Sequence, residues 1–273
     1  MPFTAAHAMA VLPLVRWRQR LGLDTTCLVI GAMAPDFEYF VRARPIATIS
    51  HTLHGLWQWN LPVTLLLAAL FHGLVKWPAL LVAPAAITRR AITLVGGPWR
   101  ARWGVAAAAS CAASAVLGAA SHLVWDSVTH ADGWMPRHVY ALRAPIRLPL
   151  IGATVLHRLL QHASTLVGLI ALGIVVVCQL RRAAPRTLPD LPRTAARLGF
   201  AACTSAGAAL ILVWISATPA VEIGDVVVGA ITGVLAGTLL ASAILYRAGR
   251  RLARLTACGR TRSGRSAARA SAG

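Results

Sequence analysis

Acid is the scarce component of this sequence: 273 residues carry eight Asp and Glu against 27 Lys and Arg. Charged residues of either sign make up only 13% of the chain, while 57% is hydrophobic and the mean hydropathy is +0.65. A soluble domain of ordinary composition has about a quarter of its residues charged, so that class is excluded. Alternation of apolar and polar residues is missing from the apolar runs, which excludes a transmembrane barrel. Cys27, Cys111, Cys178, Cys203 and Cys258 are odd in number, scattered and without Cys-x-x-Cys spacing. They therefore give neither a disulfide framework nor a zinc ribbon and read as small packing residues. The formal charge of +19 comes with no nucleic-acid-binding module, so no nucleic acid partner is expected. An ordinary signal peptide is excluded by order, because Arg16, Arg18 and Arg20 follow the first apolar stretch instead of preceding it.

What is present is a set of apolar runs near the roughly 20 residues that a bilayer requires. In lipid the backbone must satisfy itself, so these runs must be helices. The sequence predicts an all-α polytopic membrane bundle of about five transmembrane helices, preceded by an N-terminal interfacial helical segment. The expected spans are 55–75, 104–125, about 162–180, 198–216 and 226–246. Trp57 and Trp59 form an aromatic belt at one end of the first, with Lys76 and Trp77 at the other. Residues 77–93 hold Pro78, Pro84, Arg89 and Arg90 and read as an interfacial segment, and 131–149 reads as a loop. Four regions follow: a metal-site membrane domain over 1–180, an Arg/Pro-rich linker over 181–197, a two-span scaffold over 198–246 and a basic disordered tail over 247–273. In the scaffold Gly229, Gly233 and Gly237 recur every four residues, a close-packing face. The tail is expected to meet anionic lipid headgroups.

The stretch 121–130, SHLVWDSVTH, organises the rest. His122, Asp126 and His130 recur every four residues and form one polar stripe on a helix. A His and a carboxylate at this spacing can grip one metal ion, or simply end a span in water and headgroups. Ala107, Cys111, Ser114 and Gly118 lie near the same face, so His122 is expected to point into the bundle. His7 shares a helical face with Phe3, Ala10 and Leu14, as a core histidine or a ligand would. Asp36 follows the Pro35 break in GAMAPDFEYF, either stabilising a helix start or serving as an acid held at a kink. His51 and His54 sit three apart above the first span, and Gln161 and His162 open the third; His162 is preferred to His157, and His72 lies at the opposite end.

Alternating span direction places His51, His54, His122, Asp126, His130 and His162 on one side. That side carries nine basic residues against eighteen on the other. The positive-inside rule then puts the candidate site outside the cytoplasm and the tail within it.

MPFTAAH, GAMAPDFEYF, SHTLHGL, SHLVWDSVTH with Gly133-Trp134, and LLQHAST, in that order, resemble the bacterial membrane family DUF4184 over roughly residues 1–180. The pattern resembles more weakly the YdjM-type membrane-bound metal-dependent hydrolases and the zinc-dependent phospholipase C and P1 nuclease group. That resemblance implies a helical multi-zinc site with His7, Asp36, His51, His122 and Asp126 as ligands and Asp36 as general base; beside it, His54, His130 and His162 would complete a second ion or contact the substrate. It also implies a bacterial inner-membrane location. The leading expectation is a zinc-dependent hydrolase of an ester or phosphodiester; a site at headgroup level suggests a lipid or lipid-linked substrate, with membrane lipid as partner. The alternatives are a non-catalytic structural or partner-binding protein and a metal-binding or transport protein.

Overall fold

The computed structural model describes residues 4–97, 99, 104–149, 152–218 and 221–256. Phe3 and Cys258 lie outside them. A 3₁₀ turn at Thr4–His7 leads into α1 (Ala8–Leu21), α2 (Thr25–Gly31), a 3₁₀ turn at Ala34–Asp36 and α3 (Phe37–Arg42). After π-helical turns at Leu56–Asn60 and Phe71–Val75, which flank α4 (Leu61–Leu70), come α5 (Lys76–Val82) and α6 (Ala85–Val95). The chain continues through α7 (Val105–Thr129), α8 (Trp134–His138), α9 (Tyr140–Arg143), strands β1 (Pro145–Leu148) and β2 (Gly152–Val155), α10 (Leu156–Arg182), α11 (Arg193–Ser216) and α12 (Ile223–Ile244). Among the described residues, five helices are long and apolar enough to cross a membrane: Leu56–Val82, Val105–His138, Leu156–Arg182, Arg193–Ser216 and Ile223–Ile244. The protein is an all-α membrane bundle.

The chain divides into two compact units, and the first comprises Met1–Arg42, Ile46–Ala68 and Arg102–Val177. Here α2 lies against α7. A Cβ on Gly118 would stand 2.4 Å from Leu28 O, and one on Gly31 would stand 2.5 Å from Ala115 O. Only glycine allows the two backbones this approach. Asp24 caps α2 by accepting from Cys27 N–H, and its own N–H donates to Ser114 Oγ at 2.9 Å. Val11, Leu28 and Ala32 form the buried apolar contact beside them. The expected loop over 131–149 is instead two short helices and a strand. β1 pairs antiparallel with β2, Pro145 opposite Val155 and Leu148 opposite Gly152. Ile146, Thr154 and Val155 are β-branched and fit a paired ribbon better than a free loop.

The second unit comprises Ala43–Pro45, Ala69–Ala101 and Cys178–Gly273. Pro78 falls in the first turn of α5, where a missing N–H is harmless, so the helix runs on to Val82. The segment 77–93, expected to be interfacial, is helical on both sides of Ala83, which is extended (ψ 154°), and Pro84. The linker expected over 181–197 is shorter than that: Arg181 and Arg182 finish α10, Arg193 begins α11, and residues 184–192 between them take no regular secondary structure. Arg90 Nη1 donates to the carbonyls of Arg181 and Ala183, and Arg193 Nη2 to those of Leu80 and Ala83. Disorder over the whole tail is also corrected. Residues 246–256 are helical, and Leu252 is fully buried with Leu80, Leu81 and Ile92. Residues 257–273 lie outside the described residues. The face of Gly229, Gly233 and Gly237 packs onto α11, where a Cβ on Gly233 would stand 2.3 Å from Gly207 O.

Candidate metal centre

Four elements of the first unit bring five side chains to one point. The 3₁₀ turn before α1 supplies His7, the 3₁₀ turn after α2 supplies Asp36, the segment before the first span supplies His51, and α7 supplies His122 and Asp126. His7, Asp36 and His122 are almost wholly buried, at 3%, 1% and 0% exposure, although each would be well solvated outside a fold.

His122 Nε2 lies 3.2 Å from Asp126 Oδ2 and 3.6 Å from Asp36 Oδ1. His51 Nε2 lies 3.6 Å from each of the same two oxygens. These four lengths are edges of one four-donor figure. Zinc bonds of 2.0–2.2 Å in tetrahedral geometry place neighbouring donors about 3.3–3.6 Å apart. His7 Nε2 joins at 3.5 Å from Asp126 Oδ1. Despite this proximity, His7 Nδ1 and Nε2, both Asp36 oxygens, His51 Nε2, His122 Nε2 and Asp126 Oδ1 are buried without a hydrogen-bond partner. An orphaned buried polar atom costs about 1–3 kcal/mol, and several at one point suit a common partner. One donor from each of His7, Asp36 and His122 falls within 4.8 Å of the others, and so does one from each of His51, His122 and Asp126. These His/Asp groups can hold a metal ion.

The ring of His122 is fixed for this task. Its Nδ1 is 2.8 Å from the carbonyl oxygen of Ala32, which can only accept, so Nδ1 carries the proton and Nε2 presents its lone pair. Since the two triads share that single lone pair, they outline one centre. The Gly31–Gly118 approach is what brings Ala32 O within reach. Burial, and then the neighbouring His122, push the His7 imidazole down to about 4, so it is neutral and able to ligate. Burial alone would raise the Asp36 carboxyl, but His51 and then His122 reverse this and hold it below the usual range. Burial opposes charge on His51 as well, yet Asp126 and Asp36 raise it to about 9. The paired carboxylates thus demand positive charge at this point.

The sequence profile described as "Domain of unknown function (DUF4184)" matches residues 1–243. The chain belongs to the DUF4184 family. The match reaches past the motif-bearing residues 1–180 into the last two spans. No curated protein and no solved structure matches the chain.

In this DUF4184 chain the additional candidates separate. His130 Nδ1 is 3.5 Å from Asp126 Oδ1, but it also lies 3.2 Å from the backbone oxygen of Asp126, to which it donates. That nitrogen therefore has no lone pair to offer a metal ion. His54 and His162 are exposed. The preference for His162 over His157 is reversed in burial: His157 is buried, with Nδ1 donating to Leu142 O at 2.9 Å.

Sequence reasoning passed over the groups that aim His51. Glu38 is 1% exposed and gathers the 48–50 backbone. Its Oε1 accepts from Thr48 N–H and Oγ–H, and its Oε2 from Ile49 and Ser50 N–H. Asn60 Nδ2 donates to Ser50 O at 2.8 Å, and Ser50 Oγ stands 2.9 Å from His51 Nδ1. That hydrogen bond fixes the ring with Nε2 facing the two carboxylates. The scarcity of acids was the available signal, since Glu38 is one of only eight.

Proposed function

We propose that this DUF4184 protein is a membrane-bound metal-dependent hydrolase that cleaves an ester or phosphodiester, with zinc as its ion. The observation that carries the reading is the set of buried, unpartnered imidazole and carboxylate donors at 3.2–3.6 Å spacing. His and carboxylate ligands suit zinc, and the spacing fits its bond lengths. His7, His51, His122, Asp36 and Asp126 would hold it. When bound, such an ion supplies Lewis acidity and brings the pKa of water towards neutrality. Asp36 meets two imidazole nitrogens through Oδ1, and its second oxygen, Oδ2, would receive a proton from an attacking water. His122, locked by Ala32 O, and His51, locked through Ser50, keep the donors from rotating away. The excess of basic residues on the other side supports a site outside the cytoplasm with the tail inside, and the family resemblance supports a bacterial inner membrane.

The test is elemental analysis of the full chain purified in detergent without chelators, with hydrolysis of a chromogenic phosphodiester measured alongside. Stoichiometric zinc and turnover are expected, and both are lost in His122→Ala and Asp126→Asn while helical content by circular dichroism is kept. Zinc without turnover would reduce the protein to a metal binder; a wild type free of metal would remove the proposal altogether.

A further inference from the structure

A cavity of about 400 Å³ opens beside the His/Asp cluster in the first unit. His7 forms part of its wall, with Met9 and Ala10 of α1, Trp125 of α7, and Ala163 and Val167 of α10. Its volume falls within the roughly 300–1,000 Å³ of ligand pockets. The wall is apolar apart from His7 and Ser164, and Ser164 Oγ is engaged by Trp125 Nε1–H at 3.3 Å. No carboxylate, Arg or Lys lines it, so a charged occupant would be stranded there. Gly168 sets the floor: a Cβ on it would stand 3.1 Å from Ala6 Cβ, one residue before His7.

The cavity is continuous with the surface that lipid would cover. Val167 is 64% exposed, and Leu166, Ile170 and Ile174 on the same helix are exposed beyond one half. α10 lies in one of the membrane-length helices and buries little of itself. A hydrocarbon chain could leave the bilayer past Val167 and Trp125 without crossing water, and its polar end would arrive at His7.

We infer that this cavity holds a hydrocarbon chain of an amphiphilic substrate whose ester or phosphodiester group lies at the His/Asp cluster. The inference rests on the hydrolase reading of that cluster. The chain confers affinity through burial, and the cluster supplies chemistry at the point where the apolar wall ends. Burial of methylenes sets the expected gradient: two more carbons raise kcat/KM roughly tenfold until the cavity is full.

Two measurements separate this from the hydrolase reading. The first is kcat/KM of the purified full chain on 4-nitrophenyl alkyl phosphodiesters of increasing chain length, in wild type and in Ala163→Phe. A steep rise is expected in wild type. A flattened one is expected in the variant, with bound zinc unchanged; Ala10→Phe, from the opposite wall, repeats the test should Ala163→Phe fold poorly. The second is photolabelling with a phospholipid carrying a diazirine in its acyl chain, mapped by mass spectrometry. Label on Met9 and Ala163 is expected to be competed by a non-reactive long-chain phosphodiester, while label on Ile174 is not. Zinc and turnover without a chain-length gradient, or with uncompeted label spread evenly over α10, overturn the chain site and leave the hydrolase intact. Competed label on Met9 without zinc or turnover upholds the chain site and overturns the hydrolase.

Discussion

The two units use the same packing device to different ends. In the first, Gly31 and Gly118 let α2 and α7 touch; in the second, Gly207, Gly233 and Gly237 do so for α11 and α12. The second contact joins only backbone and apolar side chains. The first carries a carbonyl, Ala32 O, onto the ring of His122. Acid placement differs in the same direction. Asp24, Asp36, Glu38 and Asp126 are buried in the first unit, whereas Asp190 and Glu222 of the second are exposed. The second unit holds its polar core through Arg90 and Arg193, which donate to free helix-end carbonyls. Close helix packing is thus a scaffold common to both units, and the two differ in the polar groups that it brings together.

The largest expected effect that tests this contrast is Asp126→Asn. It removes charge and one donor from four contacts with imidazoles, so zinc affinity should fall by more than roughly a hundredfold, beyond the 10–100-fold typical of outer-shell partners. Isothermal titration with zinc measures it. Next come Gly118→Ala and Gly233→Ala, each of which forces a methyl into a backbone carbonyl. Both should lose about 1–3 kcal/mol of stability in detergent. Only Gly118→Ala should also lose zinc, because it moves Ala32 O from His122; equal zinc in both variants would erase the distinction between the units. Glu38→Gln turns an amide NH₂ towards the N–H donors of residues 48–50. A loss of about 1.5–3 kcal/mol and a roughly tenfold weaker zinc site are expected. The smallest effect belongs to His54→Ala and His162→Ala. Both sites are exposed, and thermal melts should shift by no more than about 0.5 kcal/mol, with zinc unchanged.

Much of this was legible along the chain. Apolar length located all five spans, and small residues before His122 gave the buried face of α7. Span ends were less legible. The readings stopped at 75 and 125, whereas helical structure runs to Val82 and Thr129. The first helix passes Pro78 because proline is tolerated in a first turn, and α7 continues because His122 and Asp126 are sheltered by packing. The 246–256 helix was hidden by its Arg-rich composition; its order comes from Leu252 finding Leu81 and Ile92.

Sequence alone determined the solvent and the inventory: a bilayer-length set of helices, few acids, and imidazoles and carboxylates at span ends. Hydropathy and helical spacing are local quantities, so they are readable residue by residue. Only the tertiary structure decided which of those groups meet. His7 and Asp126 are more than a hundred residues apart, yet their side chains stand at 3.5 Å. It also decided that His122 offers Nε2, that His130 is occupied by a backbone carbonyl, and that Glu38 aims His51. Each depends on a carbonyl or an N–H brought close by the chain's path, and a backbone group gives no sign of its position in the residue letters.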